Sequence, residues 1–161
     1  MRNCVLQHGC ALNIDSTYHH FIFRPSSPIF GISFQASNFR VEPVEQMSFE
    51  DACADVVICN TVLHFARDDA HFEAMLEEIW RVLKPGGLFF SRLGSSIGME
   101  SQIEHIEGRR YKSPDDSERY LVDEALLDLL TERVGELADP LKTTIVQNLR
   151  AMTTWVLRKR V

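Results

Sequence analysis

The stretch Arg81-Val82-Leu83-Lys84-Pro85-Gly86-Gly87 constrains the fold more than any other part of the chain. It closes a run in which Phe72, Met75, Leu76, Ile79, Trp80 and Leu83 recur at steps of three and four, the spacing of one wide apolar helix face. Asp68 and Asp69 stand ahead of that run, where a carboxylate caps a helix and favours its positive end. Pro85 and Gly86 stop the helix, and Gly87 relaxes the backbone into Leu88-Phe89-Phe90. Upstream, Ala54-Asp55-Val56-Val57-Ile58-Cys59-Asn60 is a continuous apolar run rich in β-branched residues, as in a parallel strand covered on both faces. Strand, helix, turn and strand make a βαβ unit. Each apolar side chain that the helix buries on the sheet contributes about 1.5–3 kcal/mol before entropy is counted.

Other segments extend this unit. Phe39-Arg40-Val41-Glu42 alternates as a half-buried strand does, and residues 43–51 read as an acidic loop. Residues 94–116 are polar with little periodicity, a loop of the length usually reserved for function or disorder. A second helix follows, with Asp123 as cap, Leu126, Leu127, Leu130 and Val134 on one face, and Gly135 as stop. Residues 143–148 and 152–159 read as a terminal hairpin. Strands alternating with helices predict an α/β sandwich around a mostly parallel sheet, closed by a C-terminal antiparallel hairpin. Residues 1–38 are poorly patterned: Val5-Leu6 and Ile29-Phe30-Gly31-Ile32 suggest short strands, and Arg24-Pro25-Ser26-Ser27-Pro28 a loop.

A chain of 161 residues suits one domain, with parts at 1–38, 39–93 and 94–161. Its net charge of −6 argues against a nucleic-acid footprint, which needs concentrated Lys and Arg. No apolar run is long enough to span a bilayer and no export signal opens the chain, so a cytoplasmic location is expected. Cys4, Cys10, Cys53 and Cys59 match no zinc or redox spacing, and reduced thiols are expected. A zinc module could be drawn from Cys4, His8, Cys10, His19 and His20, but the spacing of ligand pairs is not repeated and no metal is expected.

The βαβ unit with its Lys-Pro-Gly-Gly turn resembles the second half of a class I S-adenosylmethionine-dependent methyltransferase of type 11. The likeness runs over residues 39–90 and extends to the second helix and the hairpin, since that family ends in an antiparallel strand inserted beside a parallel neighbour. It implies a Rossmann-like fold with S-adenosylmethionine bound at the carboxyl ends of the first strands. In the family the first strand runs into an acidic residue and a glycine-rich turn. Here Val5-Leu6-Gln7-His8-Gly9-Cys10-Ala11-Leu12-Asn13 keeps Gly9 but has Gln7 at the acidic position. Residues 29–33 resemble the second strand, with Ser33 where the family's acid holds the ribose hydroxyls. Losing two charge-assisted hydrogen bonds would weaken cofactor binding by about 3 kcal/mol, on the order of a hundredfold. Only residues 34–38 separate that strand from the next, short of the dozen or so that a parallel crossover needs. The resemblance therefore implies an N-terminally truncated or degenerate member with an incomplete nucleotide half.

On the same resemblance, Val44-Glu45-Gln46-Met47-Ser48-Phe49 borders adenine, and Asn60-Thr61-Val62-Leu63-His64-Phe65 borders the methionine end. The implied cofactor set is Gly9, Ser33, Val44, Glu45, Asn60, Thr61 and His64, with His64 also the one catalytic candidate. Glu104, His105, Arg109, Arg110 and Tyr111 lie where family members build substrate lids, and His105, Arg109 and Tyr111 are the implied substrate residues. Each has a plainer reading: Val44, Met47 and Phe49 as core, Asn60 as a strand terminator, His64 as a packing residue, the 94–116 segment as a solvated loop. Methyl transfer needs alignment more than covalent catalysis, so no single residue identifies the enzyme. Two functions stay open: methyl transfer to a small-molecule acceptor, or a non-enzymatic remnant that folds or oligomerises without cofactor. A homodimer could cover the incomplete sheet; neither nucleic acid nor membrane is an expected partner.

Overall fold

The computed structural model describes residues 42–161 in full, and the backbone of the strands at 3–7, 11–13 and 39–40. One seven-stranded sheet dominates. Its strands are β1 (Asn3–Gln7), β2 (Ala11–Asn13), β3 (Phe39–Arg40), β4 (Ala54–Asn60), β5 (Leu83–Ser95), β9 (Gly135–Val146) and β10 (Arg150–Lys159). They lie in the order β3-β2-β1-β4-β5-β10-β9. Helix α1 (Asp69–Val82) joins β4 to β5, and α2 (Glu124–Val134) precedes β9. The last strand is inserted between β5 and β9, as the expected α/β sandwich requires.

The helices form where the sequence places them. Asp68 is extended and its side chain accepts from the His71 N–H; Asp123 does the same for the Leu126 N–H. Phe72, Met75, Leu76 and Ile79 bury the predicted stripe of α1 against the sheet. Val57, Cys59, Phe89, Leu93, Trp155 and Leu157 meet it from β4, β5 and β10. Phe89 sits at the centre, edge-on to Trp80 (5.5 Å) and Trp155 (5.7 Å). Both indoles reach α2: Trp80 Nε1 donates to the Val134 carbonyl and Trp155 Nε1 to Thr131 Oγ1. One face of the sheet thus carries both helices. On the other, Val56, Ile58, Leu88, Phe90 and Val156 are half-buried among the described residues.

The turn between α1 and β5 has specific causes. Gly86 adopts φ +76°, and a Cβ at Gly87 would stand 2.7 Å from Leu83 Cδ1 and 3.0 Å from the Asp55 carbonyl of β4. The helix ends before Pro85, at Val82, because Leu83 is already extended and pairs with Ala54. Lys159 Nζ donates to the carbonyls of Trp80 and Leu83, closing the helix end. Burial pushes this ammonium below its ordinary pKa.

Arg81 ties the loop at 43–51 to α1. Its guanidinium donates to the carbonyls of Met47 (3.0 Å) and Phe49 (2.8 Å) and pairs with Glu78 and Asp51. Glu78 also accepts from the Met47 N–H at 2.8 Å. The hydrogen bond from Arg81 holds the Glu78 carboxyl below its ordinary 4.5.

Within the expected α/β sandwich three details differ. Strand β1 runs antiparallel to β4, pairing Asn3 with Asn60 and Gln7 with Val56. Next to β1 comes Ala11–Asn13, antiparallel to it and parallel to β3. The expected second strand at 29–33 lies outside the described residues. The predicted loop at 94–116 contains strands β6 (Glu104–Glu107) and β7 (Arg110–Lys112), which with β8 (Glu118–Tyr120) form a small antiparallel sheet. Strand β9 also begins earlier than expected, at Gly135, where any Cβ would stand 2.5 Å from the Arg158 carbonyl.

Two outcomes follow from this packing. Phe89→Ala should cost about 3–5 kcal/mol in urea unfolding followed by tryptophan fluorescence, against about 1 kcal/mol for Asp68→Ala. A carboxyl depressed in the folded state stabilises it above the unfolded pKa and loses that contribution as pH falls through the folded one. Stability should therefore decline below about pH 4.5, and Glu78→Gln should flatten that acid limb.

Candidate functional site

The sheet edge to which β4 points is built by a turn with few alternatives. Thr61 adopts φ +59°, its N–H donates to the Arg92 carbonyl (2.7 Å) and its hydroxyl to the Asn60 carbonyl (2.7 Å). Buried Val62 and Leu63 then pull the chain into a single 3₁₀ turn, Leu63–Phe65. His64 is carried inward, 6% exposed, and its Nδ1 accepts from the Gly94 N–H of β5 at 3.0 Å. A Cβ at Gly94 would meet Leu121 at 3.0 Å and His64 at 3.3 Å, so a side chain there would force its neighbours to give.

Asn60 ends β4 half-buried, and among the described residues its side-chain amide makes no hydrogen bond. The first residue of β1, Asn3, pairs with it. Gly9 and Ser33 lie outside the described residues. Because β1 is antiparallel to β4, the end of β1 that leads to Gly9 points to the opposite edge of the sheet.

Val44, Met47 and Phe49 are buried core residues, the plainer of the readings drawn from sequence. That leaves backbone and Glu45 to face outward. Glu45 Oε1 lies 3.1 Å from His71 Nε2, and His71 Nδ1 accepts from the Arg67 N–H. The 43–51 loop and the chain leaving β4 are therefore held together at the start of α1.

The small sheet stands over this turn. Tyr120 stacks on Phe72 (4.9 Å) and donates to Asp69 (2.7 Å). Burial, then that bond, raises the phenol pKa, so Tyr120 remains a donor. Between turn and small sheet lies a cleft of about 190 Å³, lined by His64, Phe65, Arg67, Arg110, Glu118 and Arg119 among others. Of the predicted substrate residues none lines it. Arg109 pairs with Asp123 at 2.8 Å, His105 Nε2 contacts the Gly108 carbonyl at 3.0 Å, and Tyr111 packs on the His105 ring at 5.3 Å. Arg110 does line it, because alternate residues of a strand face opposite ways. Strand alternation across 109–111 was the one signal that could have singled it out.

Among the described residues, no group of His, Cys, Asp and Glu could hold a metal ion, and no helix is long and apolar enough to cross a membrane. The zinc candidates Cys4, His8, Cys10, His19 and His20 lie outside the residues whose side chains are described.

The sequence profile of the family described as methyltransferase domain matches residues 26–91. No curated protein matches the chain. Among solved structures, a SAM-dependent methyltransferase of Methanosarcina mazei is 19% identical with a TM-score of 0.62, over 76% of this chain and 67% of that one. A Burkholderia thailandensis 1,6-didemethyltoxoflavin-N1-methyltransferase, solved with 1,6-didemethyltoxoflavin and S-adenosylhomocysteine bound, is 21% identical with a TM-score of 0.56, over 76% of this chain and 51% of that one. The [4+2]-cyclase SpnF is 16% identical with a TM-score of 0.56, over 77% of this chain and 56% of that one. The chain thus spans between about half and two thirds of these proteins. Residues 26–91 thus match the methyltransferase domain family in sequence, and the sheet with its helices shares the fold of these solved structures.

Proposed function

We propose that this chain transfers a methyl group from S-adenosylmethionine to a small-molecule acceptor. The observation that carries the reading is the edge at Asn60–Thr61. An amide without a partner among the described residues, beside a turn fixed at φ +59°, offers both a donor and an acceptor. That donor set fits the ammonium and carboxylate of the cofactor's amino-acid end. Asn60 and Thr61 would hold that end, and the backbone at Val44 with Glu45 would border the base. When bound, the cofactor supplies an already activated methyl group; the protein aligns the acceptor and keeps water out.

His64 has a narrower role than general base. An imidazole that accepts at Nδ1 from a backbone N–H carries its proton on Nε2 when neutral. Nε2 is then a donor, suited to orienting an oxygen or a ring nitrogen rather than to removing a proton.

One feature favours the rival reading of a methyltransferase-like protein without cofactor: β1 presents its first residue to Asn60, not its last. A cyclase among the similar structures also shows that this fold serves other chemistry. Calorimetry separates the two. Binding heat and a raised melting temperature with S-adenosylmethionine are expected, and Asn60→Ala should weaken binding about tenfold. Neither heat nor stabilisation at millimolar ligand would remove the methyl-transfer reading, since a ligand that binds only the native state must stabilise it. For His64, long-range ¹H–¹⁵N spectra should show the Nε2–H tautomer; a proton found on Nδ1 would restore Nε2 as a candidate base.

A further inference from the structure

At the edge to which β4 points, the register carries one row of residues straight across the sheet. Asn60 of β4 stands opposite Arg92 of β5, Arg92 opposite Thr154 of β10, and Thr154 opposite Lys142 of β9. Paired residues share a face of the sheet, and neighbouring strands lie about 4.8 Å apart. Two positions earlier on β4 and β5 the same face is apolar: Ile58 stands opposite Phe90, and Phe90 opposite Val156. The row from Asn60 to Lys142 is polar, with two cations and no acid, in a chain whose net charge is −6. We infer that Arg92, with Asn60 beside it, holds the carboxylate at the amino-acid end of S-adenosylmethionine. This assignment deepens the function proposed above and rests on it.

Strand β5 lies between β4 and β10, so Arg92 occupies an inner strand, where it is half-buried. A charge in such a place costs free energy unless it is paired. Among the described residues the Arg92 side chain makes neither an ion pair nor a hydrogen bond. Lys142, at the outer end of the row, is paired with Asp139 and is exposed. The Arg92 backbone is engaged as well: its carbonyl accepts from the Thr61 N–H at 2.7 Å. The residue that fixes the turn after β4 is therefore the one that offers the cation. A guanidinium presents five N–H donors in a planar fork, and a carboxylate takes two of them at once. The Asn60 amide oxygen suits the ammonium of the same ligand, and its NH₂ group can add a donor to the carboxylate. Both ligand groups sit on one carbon, and the two side chains sit one strand apart. Neighbouring strands would thus sort the two charges of the amino-acid end.

The test is calorimetric, on the full chain, with S-adenosylmethionine and its decarboxylated analogue, which keeps the sulfonium and the ammonium but lacks the carboxylate. The wild type should bind S-adenosylmethionine about tenfold or more tightly than the analogue. Arg92→Gln should weaken S-adenosylmethionine by about that factor and leave the analogue within about twofold, so the preference disappears. Arg92→Lys keeps the charge without the fork and should restore part of it. The analogue also controls for the fold, since a misfolded variant loses both ligands; if Arg92→Gln does not melt cooperatively, Arg92→Lys decides on the same ratio. A wild type without the preference, a preference that survives in Arg92→Gln, or equal weakening of both ligands in a folded variant would overturn the role of Arg92 and leave the cofactor reading standing. Binding of neither ligand to the wild type would remove the cofactor reading itself, and this assignment with it.

Discussion

Much of the structure around the candidate site hangs from Arg81. Its guanidinium collects two carbonyls of the 43–51 loop and two carboxylates, and its own carbonyl accepts from the Ala52 N–H. The pair with Asp51 adds little, because Asp51 is 80% exposed and water screens it. Glu78 is largely sheltered, and the carbonyls would otherwise need water, so those bonds carry the weight. A loop without secondary structure is thereby fixed along the side of α1. Val44, Met47 and Phe49 can then enter the core, and Glu45 is brought to His71.

What was legible in the sequence was local. Asp68 and Asp123 cap their helices because a cap depends on three consecutive residues, and the α1 stripe is buried because 3.6-residue periodicity admits one solution. Strand direction is not local. Nothing within Val5-Leu6-Gln7 tells whether it meets β4 parallel or antiparallel, and the antiparallel pairing sets Asn3 rather than Gln7 opposite Asn60. Strands β6 and β7 were missed for another reason. Their residues are exposed or half-exposed, so neither shows the alternation that burial of one face imposes. Arg110 was read as part of the lid segment but not as a substrate residue, since only the face its strand presents brings it to the cleft.

The core explains why the β4 edge is firm. Phe89 contacts Trp80 of α1 and Trp155 of β10, and both indoles are bonded to α2, so a single aromatic stack joins both helices to the centre of the sheet. Lys159 then closes the end of α1 from the last strand. Elements distant in sequence thus converge on β4 and β5, and the register between those strands is set before the turn at Thr61 begins.

At Gly94 this rigidity passes to the cleft. Its N–H donates to His64, its carbonyl accepts from the Val122 N–H, and the space where a side chain would stand is bounded by His64 and Leu121. One peptide unit of β5 therefore sets where the turn after β4 lies and where the chain leaves the small sheet for α2. The two walls of the cleft, Phe65 on one side and Arg119 on the other, are positioned through that common joint and meet again in the stacked guanidinium.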